Sequence, residues 1–151
     1  MIYLREIEYK HLDNCINLEH SDNFEVNCFV EKPIYMLAES YVLRHEWVAY
    51  GIFNYEEMVG IVRIRNKPVD GNKPYGFSEL FIADNHKRKG YGSKAVKAIL
   101  EKLKNENGFK TIKICVHEEN NIALDFYIKI GFISEGRTSW SNDFIELSIA
   151  P

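Results

Sequence analysis

The stretch at residues 76–95 constrains the fold more than any other part of the sequence. It opens with an apolar, aromatic-rich run of strand length at residues 77–83. A basic segment and the pair Gly90-x-Gly92 follow, and they lead into a helical pattern. Apolar residues recur in that pattern at spacings of three and four, at Ala95, Val96, Ile99, Leu100 and Leu103. The predicted order is therefore strand, basic loop, two glycines and helix.

The loop between this strand and this helix has the chemistry of an anion-binding site. Glycine lets the backbone approach a ligand closely, and the first N–H groups of a helix are unpaired donors at the positive end of its dipole. Lys87, Arg88 and Lys89 add cationic side chains beside Gly90. The pattern predicts a site for a pyrophosphate or another multiply charged anion. The alternative is a turn that binds nothing, because a Gly-x-Gly pair before a helix is weak evidence alone.

The spacing Gly90-x-Gly92-x-x-Ala95 also satisfies the dinucleotide-binding fingerprint. That fold requires an acidic residue at the end of the next strand, about 20 residues further on. Ile112 stands at that distance, inside a predicted strand, and no acidic residue follows it before Glu118. The motif also lies behind strands that are typical of hairpins. A dinucleotide-binding fold is therefore disfavoured.

Length and charge exclude several classes of protein. A chain of 151 residues fits one domain with a substantial core, and we expect a single domain over residues 1–151. The net charge of -3 argues against a nucleic-acid partner. The sequence shows no cationic, apolar leader and no apolar run long enough to cross a bilayer, so we expect no membrane partner.

The cysteines and histidines indicate neither disulfides nor a metal. Cys15, Cys28 and Cys115 are an odd number without a Cys-x-x-Cys pair. We interpret them as a reduced set, packed in or near the core of a cytoplasmic protein. The five histidines do not cluster at metal-ligand spacing, so we predict no metal site.

Hydrophobic periodicity predicts a mixed α/β fold. The predicted strands are residues 2–7, 47–53, 58–64, 77–83, 111–116, 132–134 and 144–149. The predicted helices are residues 9–20, a second starting at Pro33, a third after Gly92 and a fourth at residues 120–130. The order is β-α-α-β-β-β-α-β-α-β-β, and the β-α-β unit at residues 76–116 should be parallel.

Two motifs on either side of the predicted fifth strand are typical of one protein family. The first is the loop Lys87-Arg88-Lys89-Gly90-Tyr91-Gly92, and the second runs from Asn120 through Ala123 and Tyr127 to Gly131-Phe132. Together they resemble the GCN5-related N-acetyltransferase (GNAT) superfamily, whose loop reads arginine/glutamine-x-x-glycine-x-glycine/alanine. Lys87 departs from that pattern, but it keeps a donor and a positive charge, so we expect binding to survive.

This resemblance implies a fold and a cofactor. The expected fold is a central mixed, mostly antiparallel sheet of about seven strands, splayed between the fourth and fifth, with four helices. The expected cofactor is acetyl-CoA. The backbone of Leu80, Phe81 and Ile82 would pair with its pantetheine arm, and Asn120 would contact that arm. Its pyrophosphate would be held by backbone N–H groups from Lys87, Arg88, Lys89, Gly90, Tyr91, Gly92 and Ser93.

The resemblance also implies an enzyme that transfers an acetyl group directly to a primary amine. Tyr127 would protonate the departing thiolate, because attack on a thioester releases one. The alternative for Tyr127 is a core aromatic residue. Glu79, on the fourth predicted strand, is the nearest candidate for the general base, and a solvent-facing or salt-bridged glutamate is the alternative.

The first two predicted helices and their connection would form the acceptor site. This stretch contains Glu19, Asp22, Glu25, Glu31, Glu39 and Glu46 against Lys32 and Arg44. Such an acidic mouth would attract a polycation, and the alternative is a pair of solvated helix faces. Glu25, Glu31 and Glu39 are the candidate substrate-binding residues.

A looser resemblance points to bacterial spermidine/spermine (diamine) N-acetyltransferases. It rests on residues 29–41, 49–54, 58–60 and 131–136. A polyamine is therefore the predicted acceptor. Two alternatives stay open: an enzyme for a protein N-terminus, an antibiotic or another small amine, and a non-catalytic module that binds acyl-CoA. Many proteins of the superfamily dimerise, which leaves a homodimer open.

Overall fold

A computed structural model describes residues 1–20, 29–67, 73–106, 108 and 110–150. It contains one seven-stranded sheet in the order β1-β2-β3-β4-β5-β7-β6. The strands are β1 Ile2–Glu6, β2 Trp47–Asn54, β3 Glu57–Arg65, β4 Gly76–Ile82, β5 Ile112–His117, β6 Ile133–Arg137 and β7 Phe144–Ile149. Only the β4–β5 pair is parallel; the other five neighbouring pairs are antiparallel.

Four α-helices lie in the described residues. They are α1 Leu12–Ile16, α2 Pro33–Val42, α3 Tyr91–Glu106 and α4 Asn121–Ile130, and short 3-10 turns occur at Tyr9–His11 and Asp84–His86. The element order and the mixed, mostly antiparallel sheet confirm the fold predicted from the sequence. The first helix is shorter than predicted, because residues 9–11 form a 3-10 turn and Asn17 ends α1.

Local sequence explains where the longer helices begin and end. Pro33 occupies the first turn of α2, where its missing N–H would have no partner anyway. The side chain of Asn120 caps α4 by accepting a hydrogen bond from the N–H of Ala123 at 3.2 Å. Gly131 ends α4 with a φ of +120°, which a residue with a side chain rarely adopts.

The sheet carries a hydrophobic cluster on each face. On one face, Val96 and Ile99 of α3 pack with Val62 of β3 in the larger cluster. On the other face, Met36 of α2 packs with Ile61, the neighbour of Val62 on β3. Successive strand residues point to opposite faces, so α1 and α2 lie on one side of the sheet and α3 and α4 on the other.

The prediction that the cysteines pack in or near the core is half right for the two that the structure describes. Cys15 is fully buried, and burial raises the pKa of its thiol to about 11, so it stays protonated and inert at neutral pH. Cys115 is exposed, because it alternates along β5 with the buried Ile114 and Val116 and points to the opposite face. Cys28 lies outside the described residues.

Candidate functional site

Strands β4 and β5 touch at one position and then separate. In the described residues the only paired position between them is Gly76 with Lys113. A Cβ atom on Gly76 would lie 2.0 Å from the carbonyl oxygen of Lys113, so only glycine permits this approach. The splay predicted between the fourth and fifth strands is therefore present, and a cleft of about 1030 Å³ is lined by both strands.

A β-bulge shapes the β4 side of this cleft. The β3–β4 register changes from Ile61 opposite Phe81 to Arg63 opposite Ser78, which leaves an extra residue on β4. Glu79 lies in this bulge with a φ of +54°, an uncommon conformation for a residue other than glycine. The bulge therefore breaks the regular alternation of side chains next to the cleft.

The backbone of β4 beyond the bulge offers donors to the cleft. The N–H of Ala83 donates to the carbonyl of Val59 on β3 at 2.9 Å. Since successive N–H groups along a strand point in opposite directions, the N–H of Ile82 points away from β3, towards the gap. Three residues were predicted to bind pantetheine. Leu80 is among the residues that line the cleft, whereas the side chain of Phe81 is buried in the hydrophobic cluster between the sheet and helices α1 and α2.

The predicted anion loop adopts a conformation that suits a polyanion. Arg88 and Gly90 have positive φ angles of 62° and 75°, and α3 begins at Tyr91. Such alternation turns successive N–H groups towards one side and forms an anion-binding nest in front of the helix. A Cβ on Gly90 would meet nothing within 4 Å, so glycine is needed there for its conformation and not for space.

The other loop residues frame this nest. Arg88, Lys89 and Ser93 are exposed, which leaves their polar groups open to a ligand from solvent. Lys87, the departure from the family pattern, forms an ion pair with Asp84 at 2.7 Å. A Cβ on Gly92 would contact Phe126 of α4 at 3.5 Å, an ordinary distance, so alanine fits here as the family pattern allows. The residues present fit a pyrophosphate group.

Tyr127 is a core aromatic residue that also borders the cleft. Its ring packs against Phe77, Phe126 and Phe132 with centroid distances of 5.9, 5.1 and 5.5 Å. The same residue lines the cleft. Burial raises the pKa of the Tyr127 phenol above its ordinary value, so the phenol carries its proton throughout the neutral range. Asn120 also lines the cleft, and its helix cap uses the amide oxygen but not the amide N–H groups.

Glu79 belongs to a buried charge cluster around Arg63 of β3. One nitrogen of Arg63, Nη1, contacts a carboxylate oxygen of Glu39 on α2 and lies 3.4 Å from Oε2 of Glu79. Its Nε donates to the hydroxyl of Ser40 at 3.2 Å, and its guanidinium lies 4.9 Å from the ring centre of Trp47. Burial raises the pKa of Glu79, and Arg63 opposes that rise.

The three predicted substrate-binding glutamates have different surroundings. Glu25 lies outside the described residues. Glu31 is exposed and lines the cleft. Glu39 also lines the cleft, but its carboxylate is paired with Arg63.

Charge in the described part of the cleft is balanced, although the first two helices alone suggest an acidic mouth. The cleft is lined by the carboxylates Glu31, Glu39, Glu79 and Glu146 and by the cations Arg63, Arg65, Lys73 and Lys113. Glu46, counted among the acidic residues, pairs with Lys73 at 2.6 Å and with Arg65 at 3.8 Å. Cations from β3 and the segment before β4 therefore pair with Glu39 of α2 and with Glu46 shortly after it, and Lys113 of β5 pairs with Glu146 of β7.

Aromatic side chains form one wall near the start of α2 and the end of β5. Phe29 stacks on His117 with 4.9 Å between ring centres. The ring centres of His117 and Phe144 are 5.3 Å apart, and those of Trp140 and Phe144 are 5.0 Å apart. All four line the cleft. Aromatic faces beside carboxylates are suited to the methylene groups and the positive charge of an organic amine.

Residues 13–132 match the model of the acetyltransferase (GNAT) family. The chain belongs to this family. No curated protein matches the chain significantly in sequence.

Solved acetyltransferase structures share the fold of the whole chain. Spermidine N-acetyltransferase from Vibrio cholerae, solved with CoA and spermine, has a TM-score of 0.74 and 19% identity over 99% of this chain and 95% of that one. An acetyltransferase from Thermus thermophilus has a TM-score of 0.76 and 17% identity over 100% of this chain and 97% of that one. PaiA N-acetyltransferase from Thermoplasma acidophilum, in complex with coenzyme A, has a TM-score of 0.68 and 19% identity over 100% of this chain and 99% of that one. At such low identities, the structural likeness shows a shared fold and nothing finer.

Several residues of this GNAT cleft were missed in the sequence. Arg63 and Arg65 were not singled out, nor was Trp47, whose ring centre lies 4.9 and 4.4 Å from their guanidinium groups. The sequence does contain a sign of buried charge here, because both arginines sit at alternate positions of a mostly apolar strand. A charged residue in such a run faces the core or a cavity and needs a partner there.

The described residues show neither a cluster of metal ligands nor a helix that could span a membrane. Ranges 1–20, 29–67, 73–106 and 110–150, with residue 108, hold no group of three or more histidine, cysteine, aspartate or glutamate side chains placed to bind a metal. No helix in the described part of the chain has the length and apolar character needed to cross a membrane.

Proposed function

We propose that this protein is an N-acetyltransferase that moves an acetyl group from acetyl-CoA to a primary amine. The observation that carries this proposal is the position of Tyr127, whose buried phenol lines the cleft where β4 and β5 separate. The phenol holds a proton at neutral pH, and Glu79 reaches the same cleft from β4. A candidate proton donor and a candidate proton acceptor therefore share one cavity.

The proposed cofactor would be held by backbone groups more than by side chains. The N–H groups of the loop at residues 87–93 would hold its pyrophosphate at the start of α3. The free edge of β4 at residues 80–82 would pair with its pantetheine arm, and the amide N–H groups of Asn120 would contact that arm. Acetyl-CoA, when bound, supplies the acetyl group as a thioester that an amine can attack.

Residues of the chain would manage charge and protons around that group. The N–H of Ile82 faces the gap and would stabilise negative charge that develops on a carbonyl oxygen there. Tyr127 would donate its proton to a thiolate leaving group. Glu79, whose pKa is raised by burial, would take a proton from the incoming amine, directly or through water.

For the acceptor, we propose a polyamine such as spermidine or spermine. Glu31, Glu39 and Glu79 line the cleft and would contact separate ammonium groups, and the aromatic wall would pack on the methylene chain. The likeness to the Vibrio cholerae enzyme crystallised with spermine supports this acceptor. The balanced charge of the cleft favours the second candidate, an amine with fewer positive charges, such as a protein N-terminus or a small amine.

The test is release of free thiol from acetyl-CoA against a panel of amines. The panel contains spermidine, spermine, putrescine, an aminoglycoside and peptides with free N-termini, and calorimetry with CoA runs in parallel. Turnover with polyamines alone supports the first acceptor. Turnover with another amine alone keeps the enzyme and rejects polyamines. CoA binding without turnover across the panel rejects the enzyme and favours a non-catalytic module.

A further inference from the structure

Arg63 is the most deeply buried cation of the cleft, and no role was assigned to it from the sequence. Its side chain is 5% exposed, although guanidinium is among the groups that lose most on leaving water. It contacts two carboxylates, one hydroxyl and one aromatic face, supplied by α2, β4 and β2. A buried arginine with this many partners connects the elements that supply them.

We propose that Arg63 is a positioning residue of the acceptor site, which fixes the carboxylates of Glu39 and Glu79 and stabilises negative charge on Glu79. This inference rests on the proposed function, in which Glu79 accepts the proton of the amine. Arg63 itself would not touch the acceptor, since its guanidinium faces the two carboxylates, Ser40 and Trp47.

The carboxylate of Glu79 depends on side-chain contacts for its position. Its φ of +54° at the bulge is strained, and the neighbouring β5 offers no backbone pairing beyond Gly76 among the described residues. The contact with Arg63 at 3.4 Å is what ties the carboxylate to β3, and the contact of Arg63 with Glu39 ties both to α2. Loss of Arg63 would release the carboxylate and leave two glutamates facing each other.

The pKa of Glu79 depends on every charged group that faces it. Burial raises the pKa of Glu79, Arg63 of β3 lowers it, and Glu39 of α2 and Glu31 before α2 raise it. His117 and Lys113 of β5 and Tyr127 of α4 line the same cleft. Without Arg63, burial and two carboxylates would act unopposed, so Glu79 would hold its proton to higher pH. Without Glu39, the pKa of Glu79 would fall. The two substitutions therefore have opposite signs.

A purely structural ion pair would behave differently. Removing either partner would lower the melting temperature and would still shift the pKa of Glu79 through the lost charge, but the acid limb of kcat would not follow that shift. The discriminating readout is therefore the pH dependence and not stability alone.

The experiment compares Arg63→Gln, Arg63→Lys and Glu39→Gln with the unchanged protein. The pKa of Glu79 is measured by carboxyl-carbon NMR of the full chain, with Glu79→Gln identifying the signal, and kcat is measured against pH at saturating acetyl-CoA and amine. We expect Arg63→Gln to raise the pKa of Glu79 and the acid limb of kcat by about one pH unit or more. Glu39→Gln should lower both, and Arg63→Lys, which keeps the charge, should stay nearest to the unchanged protein.

The outcomes separate this inference from the proposed function. Opposite shifts of the Glu79 signal that the acid limb of kcat follows support it, whereas the absence of turnover with every amine overturns the proposed function itself. An unmoved Glu79 signal in both Arg63→Gln and Glu39→Gln, while the unchanged protein acetylates amines, overturns it and leaves the function standing. Should Arg63→Gln fail to fold, Glu39→Gln decides the result, because its partly exposed site tolerates an isosteric change.

Discussion

The anion loop and the Arg63 cluster adjoin the same strand, β4, but are built from different groups. At the loop, two positive φ angles and the start of α3 present backbone N–H groups. At the cluster, side chains from β3, α2 and β4 hold one another through charge. A backbone site depends on a short segment and on few side chains. A side-chain site depends on segments far apart in the sequence, and it responds to every change of charge.

The largest effect is expected where both sites share a support, at Gly76. In Gly76→Val, a Cβ would overlap the carbonyl of Lys113, so β4 and β5 must move apart. We expect a loss of about 3 kcal/mol or more in the free energy of unfolding, measured by thermal and denaturant melting. Gly92→Ala is the control, because its Cβ finds an ordinary distance to Phe126. Equal melting curves for the two variants would refute the close approach.

Tyr127→Phe should affect chemistry while sparing the anion loop and the Arg63 cluster. Phenylalanine keeps the packing with Phe77 and Phe132 but removes the proton that the phenol would supply. We expect kcat to fall at least about tenfold, with the Kd of CoA from calorimetry nearly unchanged. Tyr50→Phe, another buried tyrosine of the same cluster, is the matched control. A Tyr127→Phe enzyme that matches this control in kcat would remove the proposed role.

A change at Gly90 should break the loop without touching the acceptor side. In Gly90→Val, the new residue would carry about 1–2 kcal/mol of strain at a φ of +75°, and the loop would change shape to relieve it. We expect the KM for acetyl-CoA to rise about tenfold and the KM for the amine to stay constant. Gly90→Asn, a residue that tolerates this conformation, should lose far less. If both Michaelis constants rise together, the two sites are not independent.

The smallest effect is expected at Glu31, on the side-chain site. Glu31→Gln removes one exposed carboxylate from the cleft. We expect the KM for spermidine to rise about threefold at low salt, the KM for acetyl-CoA to stay constant, and the effect to shrink as salt is added. Glu101→Gln, exposed on α3, is the control. No difference between these variants would weaken the polyamine proposal.

The local structure of the loop around Gly90 was easier to predict from the sequence than the Arg63 cluster, for a physical reason. The conformation around Gly90 is encoded by neighbouring residues, and the helix that follows shows its apolar period directly. The cap by Asn120 and the stop at Gly131 are local in the same way. The family model and the fold confirm the prediction built on these motifs.

The surroundings of the glutamates were not encoded locally. Glu39 and Arg63 are 24 residues apart, and nothing in either segment states that they meet. The acidic mouth was inferred from helices alone, so the cations that strands contribute were left out. The positive φ of Glu79 is a product of the register between β3 and β4, which is a property of two strands together. Only Arg63 and Arg65 in an apolar strand gave a sign of buried charge.

The single pairing of Gly76 with Lys113 in the described chain also has a thermodynamic consequence. A ligand that bridges the two strands beyond that point can bind the folded chain only, because the gap does not exist in the unfolded one. Its binding then adds to the free energy of unfolding, by about 2.7 kcal/mol when the ligand is present at 100 times its Kd. The supply of that ligand would govern how much of the protein remains folded, as well as how fast it works.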